Sequence, residues 1–417
     1  MPISFNPPTI SPNDIWGAVL NNILIALRDF GNSIERAVPT WRLTPSGGDD
    51  TNAIQTAINA AAAATGGTVH LGKGTFLISA QLTIPATVHV TGDSRSTTTV
   101  LQTGPNVAIF RLNDGYNSLR NMSLRYQTAQ TSGQENGCAV LLHDAFATIL
   151  DQLHIINSQT GVSLARTEAA TFMASCSVTN IEVNGFSGYG MDLTSAASIS
   201  TGSIFYNIYI HNNPAGTPLM AFSGLRMTAH SDAFMAVINV EHSQMSGPPV
   251  VFSTVENLTV SGLHLEQITP VQNYNAFVAV YGVGSTVAIH GLTIVFCHLL
   301  TANIPDLFAL IKIDNGVQLE VHGLSQRDFT VQSGFTIPLI FGSADLTTAR
   351  VWLQNLRTTS TTSDFEPLTA DPRIFHNDRF PQIFLGNPGS TPGRLYMESG
   401  ALKYKSPAGT ITTVAPN

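Results

Sequence analysis

The sequence predicts an all-β chain wound into a solenoid of parallel strands, a β-helix, and three observations carry that prediction. Only 11% of the 417 residues are charged while 43% are hydrophobic. Polarity must therefore come from Thr, Ser, Asn and Gly, a mixture that suits strands joined by solvated turns. A short motif recurs along the middle of the chain at the spacing of a structural repeat. Within each copy apolar residues alternate with others, as a strand with one buried face requires.

The motif is a small polar residue or Gly, then an apolar residue, any residue, and usually another apolar one. It occurs at Asn121-Met-Ser-Leu124, Gln152-Leu-His-Ile155, Asn180-Ile-Glu-Val183, Asn207-Ile-Tyr-Ile210 and Asn239-Val-Glu-His242. Gly262-Leu-His-Leu265 and Gly291-Leu-Thr-Ile294 continue it, with a degraded copy at Gly323. Successive copies start 31, 28, 27, 32, 23, 29 and 32 residues apart. No hairpin explains that period, whereas one coil with turns of variable length does. Second strands such as Gly137-Cys-Ala-Val-Leu-Leu and Gly161-Val-Ser-Leu lie between the copies. A single coil cannot bury its inner face, so the coils must stack, roughly ten to twelve of them over residues 66 to 345.

In chain order, residues 1–44 read as a tail and an attachment helix. Ser11-Pro12-Asn13-Asp14 supplies a helix start, with Ser as N-cap and Pro in the first turn. Trp16, Leu20, Ile23, Leu27, Phe30, Ile34 and Ala37 then follow at alternating spacings of 4 and 3, a heptad seam. Leu at position a with Ile at d favours three or four strands over two. The alternative is an amphipathic helix packed on its own domain. No basic residue precedes Arg28, so a signal-peptide n-region is missing and folding in the cytoplasm is expected.

Residues 45–65 hold a second, Ala-rich helix. The run Gly48-Asp-Asp-Thr-Asn-Ala-Ile-Gln-Thr-Ala-Ile58 leads into it, and Gly66-Gly-Thr-Val-His-Leu-Gly-Lys-Gly-Thr-Phe76 follows. This stretch closely resembles the start of pectin-lyase-like β-helices, where such a helix caps the solenoid and the second run forms its first coil. The resemblance implies a right-handed parallel β-helix over residues 66–357. It is specific for fold and not for reaction, since the pattern recurs in polysaccharide lyases, glycoside hydrolases and phage tailspikes alike. Residues 358–372 read as a polar linker. Residues 373–417, with turns at Gly386-Asn-Pro-Gly and Ser390-Thr-Pro-Gly, read as a small β-unit loosely similar to terminal elements of phage tail fibres. A trimerising helix, a capped β-helix and a distal β-unit in that order match a tailspike better than a secreted lyase.

The middle residue of each copy points outward, which predicts one ladder of Ser123, His154, Glu182, Tyr209, Glu241, His264 and Thr293. His211 and Glu266 flank it two residues further on. Acids, imidazoles and a phenol in one stripe suit a sugar, whose ring stacks and whose hydroxyls donate to carboxylates. Glu182 and Glu241 are the candidate acid and base, about 9.6 Å apart by strand spacing and near the upper end of the inverting range. Asp232, in a loop before the Glu241 strand, is the third catalytic candidate. His154, Tyr209, His211, His264 and Glu266 are the candidate substrate contacts. The bland alternative is an outward face that is polar because water is there.

Several classes are excluded. A net charge of −8 speaks against nucleic acid. Cys138, Cys176 and Cys297 are scattered and odd in number, so neither a disulfide framework nor zinc is expected. No metal, cofactor, phosphate loop or nucleophile elbow is indicated, and no segment is long and apolar enough to insert in a membrane. The Asn-Thr-Asp, Asp-Asp and Gly-His-Gly set of polygalacturonases and the clustered Asp residues of calcium-dependent pectate lyases are missing too. Three readings remain: a homotrimeric phage receptor-binding spike or fibre that recognises, and in one version hydrolyses, a bacterial surface polysaccharide; a tail appendage with binding or structural duty only; and a non-phage carbohydrate-active enzyme. The first places the protein in the virion tail, joined to other tail proteins through its N-terminus.

Overall fold

The computed structural model describes residues 39–354 apart from 131–136, 166–167, 169–170, 196–199, 213–220, 271–275, 300–308, 315, 328–329, 332–339 and 343–348. Beyond them it describes the backbone of short strands between 357 and 415. The heptad seam of Leu20, Ile23, Leu27 and Phe30, and most of the stretch assigned as linker, lie outside the described residues.

The fold is a parallel β-solenoid of about nine turns. That is fewer than the ten to twelve coils expected. One long sheet carries 16 strands and a second carries 13. Short paired strands such as Ala145–Phe146 with Met173–Ala174, and Gln244–Met245 with Thr269–Pro270, mark further corners. The long sheet includes Ser118–Tyr126, Ile149–Ile156, Ser177–Asn184, Ile204–His211, Phe234–Glu241, Leu258–Glu266, Thr286–Val295 and Gln318–Arg327, each paired in parallel with the next. Inward residues stack in register: Leu119, Leu150, Val178, Phe205, Met235, Val260 and Ile289 are all essentially inaccessible to solvent. Together with the second sheet they form one continuous apolar core. Each such side chain contributes about 1.5–3 kcal/mol by leaving water.

The first position of the motif has a structural cause. Asn121, Gln152, Asn180, Asn207, Val237, Gly262, Gly291 and Gly323 form a column with φ between +52° and +78°. Each bends its strand through the left-handed region, which Gly and Asn occupy at least cost. The amides also stitch rungs together: Asn207 Nδ2 donates to Asn180 Oδ1, and Asn180 Nδ2 to Asp151 Oδ1, both at 2.8 Å.

At the N-terminal end the helix spans Thr51–Ala63 and buries Ile54, Ala57, Ile58 and Ala61. It lies against the strands Gly67–Leu71 and Leu82–Ile84. Asp50 is the N-cap without a side-chain cap bond. Asp49 instead accepts from the Ser79 hydroxyl and from the Thr51 hydroxyl and amide, and those bonds hold its carboxyl below the usual range. The long sheet starts earlier than expected. Thr40–Leu43, inside the stretch read as an attachment segment, pairs in parallel with Gly67–Leu71. Gly67 is obligatory there, since a Cβ would lie 2.4 Å from the Trp41 ring. At the other end Ile374–His376 pairs with Val351–Leu353, so a parallel strand also falls inside the stretch read as a separate C-terminal unit. After it come four antiparallel strands, Ile383–Leu385, Gly393–Glu398, Ala401–Lys405 and Ile411–Ala415.

On the outer side of the second sheet, neighbouring rungs place Arg226 beside Asp192. The guanidinium makes a two-pronged bridge to this 3% exposed carboxylate and lies 4.1 Å from the centre of the Tyr189 ring.

Candidate functional site

The outward residues beyond the left-handed bend form two columns on the long sheet. Pairing aligns Ser123, His154, Glu182, Tyr209, Asn239, His264 and Thr293 in the first. The second aligns Asn184, His211, Glu241 and Glu266. This corrects one rung of the predicted ladder. The bend residue of that coil is Val237 and not Asn239, so Asn239 sits beside Tyr209 and Glu241 sits beside His211. The error is two residues, an even number, so Glu241 still faces outward on the predicted side.

Side chains from the two columns interlock diagonally. Tyr209 donates its hydroxyl to Glu241 Oε2 at 2.9 Å, and its ring stacks on His211 at 4.3 Å. His211 Nε2 lies 3.2 Å from Glu182 Oε1, and His154 Nε2 lies 3.5 Å from the same oxygen. His264 Nε2 stands between two acids, 2.9 Å from Glu266 Oε2 and 3.9 Å from Glu241 Oε1. Seven of the eight predicted residues therefore form one patch: His154, Glu182, Tyr209, His211, Glu241, His264 and Glu266. Asp232 does not join it. It occupies the turn before Phe234–Glu241, where it is exposed and accepts from Asn257 Nδ2 at 3.1 Å. Along the strand it stands about 20 Å or more from Glu241.

Two members were not anticipated. Arg95, from the turn between Val88–Gly92 and Thr98–Gln102, reaches Glu182 Oε2 at 3.5 Å. Its coil lies below the rungs of Ser123 and His154, and the small, buried Ser123 leaves room above it. His242, next to Glu241 at a left-handed turn, approaches Glu241 Oε2 at 3.8 Å.

The electrostatics assign roles. Burial, reinforced by the Glu241 hydrogen bond and the nearby acids, pushes the Tyr209 phenol up to about 12. It is a fixed donor at neutral pH and not a base. Burial holds His154 below its ordinary value, against the pull of Glu182 in the other direction. Glu182 and Glu241 are two rungs and two residues apart, about 11–12 Å at the backbone. Glu241 and Glu266 are on adjacent rungs instead. Their carboxylates and the His264 imidazole offer atoms that all lie within 4.8 Å of one another. These three groups are also the described set with the spacing to ligate a metal, although the His264–Glu266 hydrogen bond accounts for their contact without one.

Fold and columns define a parallel β-solenoid protein with a polar patch on one outward face. Residues 46–232 match the family model described as rhamnogalacturonase A/epimerase, pectate lyase-like. No curated protein matches the chain. Among solved structures, it is similar to the enzymatically active domain of tailspike protein 2 of bacteriophage CBA120. There the TM-score is 0.53 and the identity 13%, over 88% of this chain and 60% of that one. It is similar as well to a point mutant of DFA-IIIase from Arthrobacter chlorophenolicus A6, with TM-score 0.54 and 11% identity, over 78% of this chain and 86% of that one. At these identities the likeness is one of fold. The chain thus spans 60% of the tailspike domain's length.

Proposed function

We propose that this protein is a phage tail spike or fibre that recognises a bacterial surface polysaccharide through the long-sheet patch and cleaves it there. The observation that carries the reading is the interlocked set of Glu182, Tyr209, His211, Glu241, His264 and Glu266 on one outward face. Such a surface offers carboxylate acceptors, imidazoles of either role and an aromatic ring, which together match hydroxyl-rich rings. In the hydrolytic step one of Glu241 and Glu266 attacks the anomeric carbon while the other protonates the leaving oxygen and then takes the proton of the water that releases the sugar, since side-chain atoms of the two lie within 4.8 Å, near the roughly 5 Å of retaining glycosidases. The solenoid likeness to a phage tailspike supports the setting. Trimerisation through Leu20, Ile23, Leu27 and Phe30, attachment to other tail proteins through the N-terminus, and a place in the virion tail are parts of the same proposal.

The test is Glu241→Gln, incubated with polysaccharide purified from the host surface while reducing ends are followed. Gln keeps the shape and can still accept from Tyr209, so binding is expected to persist. Turnover is expected to fall by about 10²–10⁴, the usual contribution of general acid or base catalysis. Undiminished turnover removes Glu241 from the chemistry. Absence of turnover in the unaltered protein, with binding intact, leaves a pure receptor-binding appendage. Light scattering of the intact chain reads the oligomer, and a monomer at micromolar concentration ends the trimer.

A further inference from the structure

The left-handed column changes character halfway along the molecule. Asn121, Gln152, Asn180 and Asn207 raise amide side chains from the bend; Gly262, Gly291 and Gly323 raise nothing, and Val237 stands at the boundary. The glycines are not demanded by packing. A Cβ at Gly262 would meet nothing nearer than 3.7 Å, and one at Gly291 nothing nearer than 3.8 Å. Nor does the bend alone require them, because Asn serves it at three other rungs. Where the side chains stop, a hollow of about 350 Å³ opens, with Gly262 and Gly291 as floor and Val237, Asn239, Glu241 and Thr293 among its walls. Val237 is a β-branched residue at φ +55°, 42% exposed, an uncommon and costly conformation that lies on the rim of this hollow.

We propose that these glycine rungs form a trough for a neutral glycan chain laid parallel to the solenoid axis, with its reacting end toward Glu241. This rests on the carbohydrate reading above and adds the subsite and the charge class of the ligand. Rungs follow one another at about 4.8 Å, close to the length of one pyranose, so each coil meets an equivalent edge of successive sugars. Bare backbone lets a ring lie flat where an amide would collide with it. The class follows from charge. Among the described residues no Lys or Arg lines the hollow, and His264, the imidazole in its lining, is engaged with Glu266 at 2.9 Å; Arg95 is engaged with Glu182 further toward the N-terminus, and Glu241 in the lining, with Glu266 beside it, would repel a uronate. Carboxylates, Asn239 and Thr293 suit hydroxyl groups instead.

The column itself supplies the test. Gly262→Asn and Gly291→Asn install a residue the bend accepts at Asn121, Asn180 and Asn207, so the fold is expected to survive while the trough fills. Thr293→Trp fills it from an ordinary strand position and guards against an unforeseen backbone effect. The full chain and each variant are applied to an array of purified bacterial surface polysaccharides, half neutral and half uronate-bearing, with thermal melts as the folding control. The expected result is binding to neutral members, weakened at least tenfold by all three substitutions. Binding that the substitutions leave unchanged overturns the trough and leaves the carbohydrate reading standing. Preference for uronates overturns the neutral class. Binding to no member overturns the carbohydrate reading and the trough with it.

Discussion

The Asp192–Arg226 pair gives a sharp energetic test because its carboxylate is buried on a sheet's outer face. Asp192 Oδ1 accepts from Arg226 Nε at 2.8 Å and from the Thr194 hydroxyl at 2.6 Å, and Oδ2 accepts from Arg226 Nη2. Replacing Asp192 with Asn keeps the outline but leaves the guanidinium, only 20% exposed, without its counter-charge. Removing one partner of a buried pair costs about 3–5 kcal/mol. The stack on Tyr189 is present before and after and cancels, while the guanidinium's partial exposure places the expected loss near the lower bound, about 3 kcal/mol. A solenoid opens locally rather than as one unit, so hydrogen exchange is the suitable assay. Three kcal/mol corresponds to about a hundredfold loss of protection, expected in Tyr189–Thr194 and Ser223–Ser231 and not in Ile149–Ile156. Asp192→Leu with Arg226→Met should restore most of it, since an apolar pair of similar size is often as stable as a buried ion pair. Protection within threefold of the parent in Asp192→Asn would refute the reasoning and make the pair a surface contact in energetic terms.

Two further outcomes are expected. Burial holds His230 down at about 4 from an ordinary 6.5, although its ring bonds the Leu193 carbonyl. The native state therefore binds this proton more weakly than the unfolded chain. Stability is full above pH 6.5 and falls by roughly 3 kcal/mol as pH drops toward 4; urea midpoints across that window should decline, and His230→Gln should flatten the decline by one proton's worth. Val237→Asn relieves about 1–2 kcal/mol of left-handed strain and forfeits less than about 1 kcal/mol of burial, so the melting temperature should rise; a fall would show that this bend carries no strain.

The solenoid was legible because its period and its alternation agree over eight copies. The column of bends explains why: a left-handed φ must be served by Gly, Asn or a close substitute, and that need writes itself into the sequence. The reading failed by two residues where Val237 breaks the rule. Asn239 offered itself as the next small polar residue, and the spacings of 32 and 23 mark the slip, since Asn207 to Val237 and Val237 to Gly262 are 30 and 25 residues. Even displacement kept the right face and lost the right column. Arg95 was invisible because it reaches Glu182 across two intervening rungs, a contact that no local pattern encodes. Asp232 was misplaced for the opposite reason: nearness in sequence to Glu241 spans most of a strand's length in space. The early strand Thr40–Leu43 was missed because Trp41 and Leu43 show strand alternation over only four residues.

The shared bend also gives the molecule a natural unit of change. A block running from Gly262 to the residue before Gly291 is 29 residues and begins and ends at equivalent points of the winding. Deleting or duplicating such a block leaves each hydrogen-bond ladder in step and sends no side chain to the wrong face, whereas losing one residue inside a strand inverts everything after it. Lengthening by whole coils is therefore the path of least resistance for this architecture. A lineage can adjust the length of its outward face without redesigning a single rung.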